Sequence, residues 1–309
     1  SRSSMKVNNA QKFNHGKGFV VGHQWTNIGI LINGEFVPLP PIPFYTTEEC
    51  KERKIRYRTE HQKVVDFLRN FSFKEIFSDL KPEEVVVLLD SGYDNKLIQK
   101  TIRSRKWDFV VSLKPARNVS SQNGGNWQRV DKYLRKGRCP WKSVRLISYR
   151  GRRKTWTGFK VKKRVGFLMG TNLKVNLISS KRQKGASVKH LASSNLSVPV
   201  KSVLEIYKMR WAIEIFHREI KSYLGLQDAG VRRFNSLVNH VHYVYLAYNL
   251  LKEKFPGQSI SSAQKFMDVE IGNENNRHLL KVLSWPGHKE KLKGHILSVI
   301  EGGVHLKCA

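Results

Sequence analysis

Tyr207, Arg210, Glu214 and Lys221 fall within one short stretch, YKMRWAIEIFHREIK, spanning Tyr207–Lys221. On a single α-helix, at about 100° per residue, the positions i, i+3, i+7 and i+14 share a sector about 60° wide. A phenol, a guanidinium, a carboxylate and an ammonium would then stand in line, with Trp211 near the edge of the sector. Ile206, Met209, Ile213, Phe216, Ile220 and Leu224 form an apolar stripe on another side, suited to packing on a core. The plainer interpretation is a solvated helix face whose Arg–Glu pair contributes a few tenths of a kcal/mol.

A second carboxylate stands out in EVVVLLD, Glu84–Asp90. Five consecutive apolar residues are the mark of a strand covered on both faces. Asp90 closes that run, where open α/β sheets place their sites, and Ser91-Gly92-Tyr93 follows. An Asp capping the next helix is the competing interpretation.

The surrounding elements follow from periodicity and punctuation. Phe19–Val21, Thr26–Ile32 and Phe36–Leu39 read as strands, with a hairpin at Asn33-Gly34. Four prolines between Pro38 and Pro43 stop the sheet edge. Glu60–Phe71 reads as an amphipathic helix with Val64, Val65, Phe67, Leu68 and Phe71 inward, Asp94–Arg105 as a helix, and Phe109–Leu113 as a buried strand. Val144–Ile147 and Leu173–Ile178 alternate with period two in a region dense in Lys, Arg and aromatic residues. That region is either a module that grips a backbone and stacks bases, or a small sheet with a cationic outer face. Val203–Leu224 reads as one helix, Asn235–Lys254 as a second, apolar all round and so buried. His278–Leu283 and Lys291–Ile300 are helical segments of the tail.

Charge narrows the function. The 309 residues carry 56 Lys and Arg against 24 Asp and Glu, a net +32. A compact body with that charge needs a polyanionic partner, nucleic acid first and an anionic membrane surface second. No apolar run reaches the roughly 18 residues a membrane span requires, and no secretory leader opens the chain, so a soluble, cytoplasmic protein is expected. Cys50, Cys139 and Cys308 are too far apart for a disulfide framework or a zinc knuckle, and His240 and His242 read as ordinary helix residues.

The spacing Tyr-x2-Arg-x3-Glu-x6-Lys, followed by Leu224-Gly225-Leu226, resembles the signature of a large group of bacterial insertion-sequence DDE transposases. The order strand, hairpin, strand, helix, buried strand, helix, strand resembles their ribonuclease H-like α/β core, and Asp90-Ser91-Gly92-Tyr93 resembles the segment around their second Asp. The resemblance implies a mixed sheet with flanking helices and a basic β-rich insertion. The expected divisions are 1–118 for the first part of the core, 119–200 for the insertion, 201–255 for the second part and 256–309 for a helical tail. It also implies Asp90 and Glu214 as catalytic metal ligands for two Mg²⁺ or Mn²⁺ ions, with Tyr207, Arg210 and Lys221 on DNA phosphates and Trp211 a candidate base-stacking residue. Double-stranded transposon ends would be the substrate, engaged by a homodimer in a synaptic complex, in the nucleoid of a bacterium or archaeon. The sequence departs from the pattern at the first Asp, because the matching positions are Arg2 and Ser3 and no Asp precedes Asp66. Either that ligand lies upstream of Ser1 or it has been replaced. Replacement would leave a transposase-derived, nuclease-deficient DNA-binding protein.

Overall fold

A computed structural model of the chain describes residues 9–15, 18–73, 77–136, 139–150, 153–182, 187–231 and 233–283. The strands are β1 (Gln11–His15), β2 (Gly18–Gly22), β3 (Trp25–Thr26), β4 (Gly29–Ile32), β5 (Glu35–Pro38), β6 (Ile42–Pro43), β7 (Val86–Leu89), β8 (Asp108–Leu113), β9 (Asn118–Ser120), β10 (Gln128–Arg129), β11 (Lys142–Arg150), β12 (Arg153–Leu168), β13 (Lys174–Lys181) and β14 (Lys189–Ser193). The helices are α1 (Thr47–Glu52), α2 (Glu60–Asn70), α3 (Lys96–Ser104), α4 (Val130–Arg135), α5 (Val200–Met209), α6 (Trp211–Tyr223), α7 (Phe234–Lys254) and α8 (Ile260–Leu283).

Eight strands form one mixed, mostly antiparallel sheet in the order β10-β9-β12-β13-β14-β8-β7, with β11 paired to β12. Only β7 and β8 run parallel, with Val86 opposite Asp108 and Leu89 opposite Val111. Phe109, Val111 and Leu113 point to a core built with α2, α3 and α4. Val110, between them, points to the other face, where Leu146, Val161, Ile178 and Leu191 pack with Val203 and Leu204 of α5. Helices on both faces account for the continuous apolar run of β8, since neither side of the strand meets water. Gly166 permits the approach of β12 to β9, because a Cβ there would lie 2.9 Å from the Ser120 carbonyl oxygen and 2.8 Å from Leu177 Cδ1.

Local chemistry fixes several boundaries. Asn33 and Gly34 adopt φ of 51° and 87°, the left-handed pair of a type I′ turn, joining Ile32 to Glu35 in the β4–β5 hairpin. Thr59 and Gln62 form a reciprocal capping box at the start of α2. Asn95 caps α3 by accepting from the Leu97 N–H.

The structure also corrects the sequence reading. The expected strand Thr26–Ile32 is two strands in separate two-stranded sheets, and Ile42–Pro43 pairs with Trp25–Thr26 rather than ending the sheet. Helix α1 was not anticipated, although Thr46 caps it by accepting from Glu49 N. Among the described residues β7 is an edge strand, not a central one, and Val86 is 37% exposed. Helix α7 buries Val241, Val244, Tyr245 and Tyr248, but Tyr243, Leu246 and Leu250 of its other side are exposed. Apolar composition all round did not translate into burial all round. Helix α8 is continuous from Ile260 to Leu283, and Lys291–Ile300 lies outside the described residues.

The chain divides into two compact units, Ser1–Phe216 with Val231–Val238, and His217–Gly230 with Asn239–Ala309. In the second, His240 Nε2 lies 3.0 Å from the Gly225 carbonyl oxygen, and Tyr248 donates to Glu219 at 3.3 Å. Cys50 and Cys139 are free thiols. No helix among the described residues is long and apolar enough to cross a membrane.

Candidate active site

Alternation along β7 determines where Asp90 points. Leu89 belongs to the α2–α3–α4 core and Leu88 packs with the α5 cluster. Asp90 continues in extended conformation, with φ −77° and ψ 167°, and so lies on the α5 side. It precedes a 3₁₀ turn, Ser91–Tyr93, and its carboxylate makes no capping hydrogen bond. The cap interpretation therefore does not account for this side chain, which is exposed.

Every residue after it is held. The Tyr93 N–H donates to the Asp90 carbonyl oxygen at 2.9 Å. The Tyr93 hydroxyl donates to Glu60 Oε1 at 2.6 Å, while Gln24 Nε2 donates to Glu60 Oε2 at 2.7 Å. Burial, then the Glu60 contact, pushes the Tyr93 phenol well up, so it remains a proton donor at any working pH. His61 Nε2 sits 2.9 Å from the Gly92 carbonyl oxygen, and its Nδ1 lies 3.1 Å from Asn95 Nδ2. Asp94 pairs with Arg117 at 3.2 Å and accepts from Gln99 at 2.8 Å. Burial raises the Asp94 carboxyl above its usual range, against the opposing pull of Arg117 and Gln99.

The second half comes from α5 and α6. Ser112 of β8 shares the face of Val110 and acts on the phenol of Tyr207 on α5, favouring its ionised form. Burial lifts the Tyr207 phenol above its ordinary value. The charge of Asp90 acts in the same direction, while the Ser112 hydroxyl and Arg210 oppose. Tyr207 is thus within electrostatic reach of Asp90 on one side and Arg210 on the other. The Arg210 Cζ lies 5.9 Å from the centre of the Tyr207 ring, and Nη1 donates to Glu214 Oε1 at 3.3 Å. Tyr207, Arg210 and Glu214 are thus successive neighbours across the junction of α5 and α6, and the charge of Asp90 is felt at the first of them.

The expected single helix is broken at Arg210. The Arg210 N–H bonds the Tyr207 carbonyl and the Ile213 N–H bonds the Arg210 carbonyl, both i to i−3. With φ −52° and ψ −27°, Arg210 has 3₁₀ geometry. The break shifts the phase of the apolar stripe. Phe216 and Ile220 are buried, but Met209 is 52% exposed. Neither Pro nor Gly marks the break, so the sequence carries no punctuation for it. Trp211 begins α6 and is 60% exposed. Lys221 is exposed on α6, within the second compact unit. Glu60, Ser112 and the Asp94–Arg117 pair, which brace the site, were not anticipated. Glu60 had shown only as the first residue of a helix and Ser112 as one polar position in an apolar strand.

Among the described residues no three His, Cys, Asp or Glu side chains gather as a metal cluster. Asp90 makes no capping bond, and Glu214 is exposed and paired with Arg210. Carboxylate oxygens of this kind are the donors that a hard divalent ion takes while keeping much of its water.

Residues 54–250 match the transposase DDE domain family. The chain belongs to that family, an assignment that spans both Asp90 and Glu214 and carries a transposase function on DNA. A comparison with curated proteins finds no match.

Proposed function

We propose that the first compact unit is a ribonuclease H-like catalytic domain that performs metal-dependent cleavage and strand transfer at transposon DNA ends. The supporting observation is that Tyr207 lies in the fields of both Asp90 and Arg210, while Arg210 pairs with Glu214. Asp90 and Glu214 would hold a Mg²⁺ or Mn²⁺ ion, which when bound would supply Lewis acidity at a phosphodiester. Arg210 turns its guanidinium from Glu214 to a phosphate beside the scissile bond, where a planar fork binds two oxygens. Tyr207 directs its hydroxyl at the same backbone and, its pKa raised by burial, stays protonated. Lys221 takes a more distant phosphate, Trp211 contacts an exposed base, and a second copy of the chain brings the partner end.

The second reading, a DNA-binding protein without nuclease activity, draws on Arg2 and Ser3 standing at the positions that match the first Asp of the family pattern. A nicking assay on duplex DNA with Mg²⁺ or Mn²⁺ separates the two. Ion-dependent nicking that Asp90→Ala lowers on the order of a thousandfold, the several kcal/mol such an ion contributes, supports the enzyme. Salt-sensitive binding with no nicking supports the second reading.

A further inference from the structure

The β11–β12–β13 region has two unlike faces. Val144, Leu146, Phe159 and Val161 pack with α5 in the core. Register and alternation place Arg145, Lys154, Trp156, Gly158 and Lys160 on the opposite face, and all five are exposed. From Lys132 to Leu204 the chain has twenty Lys and Arg and not one Asp or Glu. Among the described residues, helix α4 covers the inner end of this outer face. There Arg164 lies 4.2 Å from the Tyr133 ring centre, and Tyr133 donates to the Val165 carbonyl oxygen at 2.7 Å.

Two indoles are set among these cations. The Lys154 ammonium lies 5.1 Å from the Trp156 ring centre, and Trp156 is 58% exposed. Further along, Lys162 and Lys181 lie 5.1 and 4.8 Å from the Trp141 ring. Gly158 follows Trp156 on the same face, and a Cβ there would meet nothing within 4 Å. The sheet is therefore low and open beside the ring, the setting in which a strand glycine admits a close ligand.

We infer that this outer sheet face binds single-stranded nucleic acid, with a base stacked on Trp156 and phosphates on Lys154, Lys160 and Arg145. A duplex would satisfy the cations but keeps its base faces inside the stack, whereas a single strand presents a ring face to the indole together with its backbone charge. The surface is on the side of the sheet away from α5 and Tyr207, so it does not depend on the cleavage chemistry proposed above.

The test uses the full chain, with a chelator present, and follows fluorescence anisotropy of an oligodeoxythymidylate of about ten nucleotides, within the span of one single-strand site. Trp156→Ala should weaken binding about tenfold, the effect of losing one base stack, while Trp156→Phe should keep most of the affinity. A duplex of equal length should compete poorly. Circular dichroism checks that the exposed substitution leaves the fold intact. Unchanged affinity in Trp156→Ala, or equal competition by the duplex, would overturn the inference and leave the face merely cationic.

Discussion

Asp90 and Glu214 are held by different kinds of structure. Asp90 follows a strand whose register against β8 is set residue by residue, and the turn after it is pinned by Glu60, His61, Asn95 and Arg117. Glu214 stands in the first turn of α6, just past a 3₁₀ break, and is steadied by one ion pair of 3.3 Å. The sheet half is preorganised, and the helix half depends on how α5 seats on the sheet and how Arg210 turns the chain. In the proposed site, a lightly braced carboxylate working with a pinned one suits the entry of a bulky, charged backbone. Damage to the two halves should therefore read out differently.

The largest effect should come from unseating α5. Leu204 is buried against the second core cluster, and Leu204→Ala should cost about 2–5 kcal/mol, read as a lowered denaturation midpoint with nicking lost before the sheet melts. Simultaneous loss of all structure at that midpoint would argue that the halves are not distinct. Next, Arg210→Lys keeps the charge but not the fork, and should lower nicking about tenfold with little change in stability. Full activity would show that Arg210 acts only as a point charge. Ser112→Ala removes the hydroxyl that favours the ionised form of Tyr207, so the phenol should titrate higher still by ultraviolet absorbance.

The smallest effect is a pH dependence in the sheet itself. His190 is buried with Nδ1 2.9 Å from Ser179 Oγ, and burial lowers its pKa below 6.5. The fold holds it neutral while the unfolded chain protonates more readily. Its stabilising contribution is therefore complete above about pH 6.5 and disappears as pH falls through the lowered value. Denaturation midpoints measured across that range should fall with acid in the native chain, and the slope should flatten in His190→Gln.

How much was legible in the sequence follows the same division. The sheet half was readable because apolar runs, the Asn33-Gly34 turn and a terminal carboxylate are local signals, and β8, α2 and α3 lie close to where periodicity put them. Tyr207, Arg210 and Glu214 remain neighbours because they lie within two turns. The single helix expected over Val203–Leu224 is instead two, because the turn at Arg210 is made by i to i−3 bonds that no residue type announces. Edge or centre, for β7, depends on which strands pair across the sheet, and that is a long-range fact. The exposed side of α7 likewise shows that composition tells how apolar a helix is, not how much of it is covered.

The central claim is that Asp90 and Glu214 share one divalent ion. Replacing Mg²⁺ with Fe²⁺ and generating hydroxyl radicals at the bound metal would cut the polypeptide wherever it approaches the ion. Two cuts, one beside Asp90 and one beside Glu214, both suppressed by excess Mg²⁺ and both lost in Asp90→Ala, are the predicted result. Cutting at one of those segments alone, or a cut near Glu214 that survives Asp90→Ala, would contradict it.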